Sequence, residues 1–105
     1  MRFLMKWEMP TEAGNVALED PKKFGDKVMG MLKEMKAEAA YFTTIKGHRG
    51  GYIVVNMDDA SQMVAMAEPV FFGLKATVKF IPVMLPEDLA KGMPAAAKAI
   101  KKWGT

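Results

Sequence analysis

Residues 39–57, AAYFTTIKGHRGGYIVVNM, place two runs rich in β-branched and aromatic side chains on either side of a glycine-framed segment. Such side chains suit a pleated surface, and glycine admits positive φ without steric cost. The stretch therefore predicts two antiparallel strands joined by Gly47–Gly51, GHRGG. It also holds the only histidine of the chain, His48, beside Arg49.

Outward from this hairpin the hydrophobic period alternates between two values. Upstream, Phe24, Val28, Met31, Leu32, Met35 and Ala39 recur at spacings of three and four, which predicts a helix over about Pro21 to Glu38, with Asp20 as its cap and Pro21 in its first position. Gly25 and Gly30 weaken this helix, so packing or a close neighbour is expected to support it. Arg2 to Glu8 has the period of a strand, with Phe3, Met5 and Trp7 opposite Arg2, Leu4, Lys6 and Glu8. The intervening PTEAGNVALED has turn formers and no clear period, and reads as a loop. Downstream, Asp58, Asp59 and Ser61 can cap a second helix with the stripe Ala60, Met63, Val64 and Ala67, expected to end or kink after Glu68 because Pro69 follows. LKATVKFIPV, Leu74 to Val83, predicts a fourth strand. A helical tail then begins near Pro94, with Ala97, Ile100 and Trp103 on one side.

The order β-α-β-β-α-β followed by a C-terminal helix is the ferredoxin-like α+β arrangement, with two helices on one face of a four-stranded antiparallel sheet. Both phases of the strands are rich in apolar residues, so the second sheet face also needs a cover. A second copy of the same sheet supplies one, giving a homodimer that buries Leu4, Ile53 and Val55, with the Trp103 tail laid across the partner.

Composition narrows the chemistry. A chain of 105 residues, half of them hydrophobic, predicts one domain over 1–105, with a core over about 1–86 and a helical tail over about 87–105. Without cysteine there is no disulfide, thiolate metal site, iron–sulfur cluster or cysteine nucleophile, and a cytoplasmic, reducing setting is expected. No run is apolar enough for a signal peptide or a spanning helix, so a soluble protein without a membrane partner is expected. The net charge of +3 reflects lysines scattered among acids and gathered near the C-terminus, with no basic stripe suited to nucleic acid.

Within the first strand, Lys6 shares a side with Leu4 and Glu8. Its plain reading is a stem packed on the sheet with the ammonium at the rim or paired with Glu8. Its functional reading is a base, or a cation holding a carboxylate or enolate. His48 reads first as a residue of the turn; as an imidazole it could also transfer protons, with Arg49 binding an acid group. Tyr41 and Tyr52 are packing residues that could hydrogen-bond a ligand, and Lys79 can share the side of Lys6. One histidine and scattered acids give no metal-ligand spacing, and no cofactor is expected. Of eleven methionines, Met29, Met31, Met35, Met63 and Met66 read as core filler or as the lining of a pliable apolar pocket.

The first-strand pattern RFLMKW, the Gly47–His48 pair before YIVV, the helix opening DDASQM and the segment AEPVFFGLKATVKFIPV together resemble the dimeric α+β barrel superfamily, and within it the muconolactone isomerase-like proteins. The resemblance spans about Met1 to Pro86. It implies a dimer that assembles further and a proton shift on an unsaturated lactone without metal or organic cofactor. Phe3 and Lys6 stand where that family carries similar residues, and Leu4 stands where it carries a histidine. Two functions follow as expectations. One is a cofactor-independent isomerase or lyase that takes a small apolar or acidic organic ligand between sheet and helices, with Lys6 and His48 catalytic and Glu8, Arg49, Tyr41, Tyr52 and Lys79 binding. The other is a non-catalytic oligomeric ligand-binding or scaffold protein of the same fold.

Overall fold

Alternation in RFLMKWE makes β1 (Arg2–Glu8) a strand with Met5 and Trp7 buried on one side, and it lies in the interior of the sheet. The computed structural model describes residues 1–105. After β1 come α1 (Thr11–Ala17), α2 (Pro21–Glu34), β2 (Ala39–Ile45), β3 (His48–Asn56), α3 (Gln62–Leu74), β4 (Thr77–Pro82) and α4 (Pro86–Trp103). The four strands form one antiparallel sheet in the order β2-β3-β1-β4. This is the ferredoxin-like α+β arrangement, with α1 inserted before the first crossover helix and α4 added after the last strand. No helix is long and apolar enough to cross a membrane.

The core lies between one sheet face and the helices. Met5, Trp7, Ile53 and Val55 from the sheet meet Val28 and Met35 of the α2 segment and Met66, Val70 and Leu74 of α3. Ile53 and Val55 therefore belong to the helix-covered face, and only Leu4 of the expected trio belongs to the open one. Asp20 caps α2 by accepting a hydrogen bond from Lys23 N at 3.1 Å, and Pro21 follows it into the first turn.

Several boundaries differ from the sequence expectation, each for a local reason. The segment read as a loop contains α1, whose Gly14 lets the Arg49 side chain lie against the helix. Helix α2 stops at Glu34 because Lys36 adopts a left-handed φ of 53° and Ala37 N returns to Leu32 O at 3.0 Å, a closure that satisfies end carbonyls. Gly25 and Gly30 have no neighbour within 4 Å, so no close approach accounts for them. The hairpin turn needs only Lys46 and Gly47, at φ 53° and 80°, the paired positive values of a two-residue turn whose twist matches its strands. Gly50 and Gly51 belong to β3.

Helix α3 runs through Pro69 to Leu74, which removes Leu74 from the strand expected there. Its buried side is Met66, Ala67, Val70 and Leu74, whereas Val64 is 62% exposed. Asp59 accepts from Ser61 N at 2.8 Å ahead of this helix, and bonds from Ser61 hold its carboxyl below the ordinary carboxylate value. Helix α4 begins at Pro86, eight residues before the expected start, with Leu85 N donating to Asp88 at 2.9 Å. None of its residues is buried. The helix projects from the sheet and stretches the chain to 58 × 27 × 21 Å.

Candidate functional site

Strand register arranges the uncovered sheet face in rows that cross the strands. Directly opposed residues share a face, so Tyr41 (β2), Tyr52 (β3), Lys6 (β1) and Lys79 (β4) form one continuous row across the sheet. On one side of it lies the apolar row Ala39, Val54, Leu4 and Ile81. On the other lies Thr43, Gly50, Glu8 and Thr77, with Ile45 and His48 beyond. Six of the seven residues singled out from the sequence thus stand on one surface.

The seventh, Arg49, stands on the opposite face. Its guanidinium donates to Thr11 O at 3.4 Å and to Asn15 Oδ1 at 3.0 Å, which ties α1 to β3 and removes it from the open face. The cause is strand phase: Arg49 follows Gly51, Ile53 and Val55, while His48 follows Gly50, Tyr52 and Val54.

His48 is the first residue of β3 and is not at the tip of the turn. Its side chain is 44% exposed, and its Nδ1 lies 3.5 Å from Glu8 Oε2, whose side chain is 22% exposed. That Glu8 oxygen is itself buried and accepts no hydrogen bond. The separation brings the carboxylate and imidazole together without the alignment of a formed hydrogen bond. Beside them a recess of about 200 Å³ is lined by Glu8, Met9, Pro10, Lys46, His48 and Thr77. Only glycine fits at position 50 at this end of the face, since a Cβ there would meet the Trp7 carbonyl, Ile45 Cδ1 at 3.0 Å and Glu8 Cα at 3.2 Å.

Lys6 and Lys79 oppose each other on adjacent strands. The ion pairs between charged side chains are Arg2–Glu38 and Lys22–Asp26, so the lysine pair has no carboxylate partner, and Glu8 lies against the His48 imidazole rather than Lys6. Arg2 is fully engaged, with Nε to Glu38 at 2.8 Å and Nη2 at 3.1 Å, and this bond to Glu38 raises its pKa.

The space between sheet and helices is not a ligand chamber. Its void, lined by Trp7, Val28, Met31, Leu32, Met35, Phe42, Ile53 and Leu74, amounts to about 10 Å³, room for a single water at most. Methionines fill part of this layer: Met35 and Met66 are buried, although Met29 is 64% exposed. A shallow groove of about 190 Å³ between α2 and α3 carries Met31, Met35 and Met66 but no residue suited to proton transfer other than Glu34. The chemistry-bearing residues occupy the other side of the sheet. No three metal-ligating side chains gather anywhere in the chain.

Thr43, Thr77, Gly50 and Lys46 also stand at this end of the face, although no motif in the sequence marks them. The alternation of TVKFIP already puts Thr77 in phase with Lys79, and a glycine inside a strand often marks a close backbone approach. The direct opposition of Lys6 and Lys79 depends on register, which no single strand carries.

A protein-family model described as Domain of unknown function (DUF3303) matches residues 1–97. No curated protein and no solved structure matches the chain.

Proposed function

The chain belongs to the DUF3303 family, and we propose that its open sheet face is the functional surface, enclosed by a second copy and used to move a proton on a small unsaturated or ring-containing organic acid. The observation that carries this reading is the row Tyr41–Tyr52–Lys6–Lys79 beside the Glu8–His48 pair, polar groups gathered on a face that also bears Leu4, Val54 and Ile81. The resemblance to the muconolactone isomerase-like proteins of the dimeric α+β barrel superfamily supports the same assignment.

Exposed area supports enclosure by a partner. The chain exposes 7610 Å², against roughly 5,800 Å² for a compact monomer of its mass. The difference exceeds the ~800 Å² that each partner contributes to a standard interface. A homodimer that packs the open faces together, with α4 laid on the partner, removes this excess and excludes water from the lysine row.

In this chamber Lys6 holds the acid group or the developing enolate oxygen as an ammonium. The His48 imidazole accepts a proton from the carbon next to the carbonyl, and Glu8 steadies the imidazolium through Nδ1. The imidazolium exchanges its proton with solvent and delivers one to a carbon further along the conjugated system, shifting the double bond with no net oxidation and no cofactor. Lys6 and Glu8 stand two residues apart on one strand, about 7 Å, a separation that a small acid can span.

Incubation of the protein in deuterium oxide with a panel of unsaturated acids and their lactones tests the reading. Deuterium is expected at carbon in at least one compound, by mass spectrometry, and Lys6→Met or His48→Ala should abolish the exchange while the fold persists. Exchange that survives both substitutions defeats the assignment. Binding without any exchange selects the second reading, a non-catalytic ligand-binding oligomer, which the apolar Leu4 at the centre of the face favours.

A further inference from the structure

We infer that the face takes a short-chain organic dicarboxylate across Lys6 and Lys79, and that this ligand drives assembly of the dimer. The inference rests on the face-to-face dimer proposed above. Lys6 and Lys79 are directly opposed, and directly opposed like charges on neighbouring strands destabilise a sheet. Neither is relieved by an ion pair, and Glu8, the nearest acid along β1, faces His48.

In a single chain Lys79, on the edge strand, is exposed and Lys6 is half-buried. When a second copy covers the face, the two ammonium groups and their symmetry mates lose water. Burying unpaired charge is unfavourable, so an empty interface opposes its own closure. One carboxylate per lysine removes the penalty. A ligand bearing two carboxylates a few carbon atoms apart supplies both at the entropic cost of one molecule, and its carbon skeleton lies against Leu4, Val54 and Ile81 of the adjacent row. Tyr52, opposite Lys6, adds a hydroxyl donor. Binding and dimerisation are then linked, each strengthening the other by the same factor.

Sedimentation equilibrium of the full chain, at constant ionic strength in chloride, acetate, phosphate or succinate, provides the test. Succinate is expected to tighten the dimer about tenfold or more relative to acetate. Lys79→Met should abolish that response while tightening the ligand-free dimer, because it removes the unpaired charge. Lys79→Gln, with a melting curve for each variant, provides a second substitution if the methionine variant folds poorly. A dimer indifferent to succinate overturns the inference and leaves the face-to-face dimer standing. Phosphate or acetate acting as strongly as succinate also overturns it, because general anion screening then accounts for the effect. A monomer under every condition defeats both.

Discussion

Gly50 and Gly25 are chemically identical and physically opposite. At Gly50 an added methyl group would run into the Trp7 carbonyl and press on Ile45 and Glu8, whereas at Gly25 and Gly30 nothing lies within 4 Å. Gly50→Ala is expected to cost about 2 kcal/mol, as overpacking against backbone does. Gly25→Ala and Gly30→Ala should each stabilise the chain by about 0.5–1 kcal/mol, through lower unfolded-state entropy and better helix propensity. Urea unfolding of the three variants checks this; equal effects at all three positions would contradict the contact geometry. The same contrast explains which residues could be read in advance. Alternation alone put Lys6, Leu4 and Glu8 on one side of their strand. The partner of Glu8 could not be read that way, because His48 meets it only after a two-residue turn sets the phase of β3. A five-residue connection leaves that phase undetermined, and adjacency alone cannot show that Arg49 and His48, as neighbours in a strand, face opposite ways.

Helix α3 bears the clearest conflict between local rule and observed structure. Pro69 should end a helix, since it lacks an N–H and crowds the preceding turn, yet the helix continues through it to Leu74. Burial of Met66, Val70 and Leu74 in the core cluster, with Ala67 also buried, outweighs that local cost. Their spacing of three to four residues was readable, but Pro69 and the polar DDASQ opening moved the expected stripe toward Met63 and Val64. Because Pro69 is exposed, at the edge of the α2–α3 groove, Pro69→Ala should restore a helix bond and raise stability by about 1–3 kcal/mol. Thermal melting is the measurement, and an unchanged or lowered midpoint would mean that the proline supports a kink the packing requires. Helix α1 had no period to read. Of its seven residues only Gly14 is buried, so its position depends on Arg49 rather than on an apolar stripe.

The β-α-β-β-α-β order was readable because each core element carries its own period and each boundary its own breaker. The radius of gyration, 17.5 Å, was not, because it exceeds the roughly 13 Å of a compact chain of this length by virtue of a helix that finds no surface of its own to cover. That helix, α4, has another consequence. Proteases cut folded chains where a segment can unfold alone, and a helix with no buried residue has only its own backbone bonds to resist. Lys91, Lys98, Lys101 and Lys102 all lie in it, exposed. Trypsin should therefore remove the C-terminal arm long before it enters the sheet, leaving a fragment that ends near Lys91. If each arm rests on a second copy, the digestion becomes a clock set by dilution, slow in concentrated protein and fast in dilute protein. A rate that ignores concentration would mean that the arm rests on nothing.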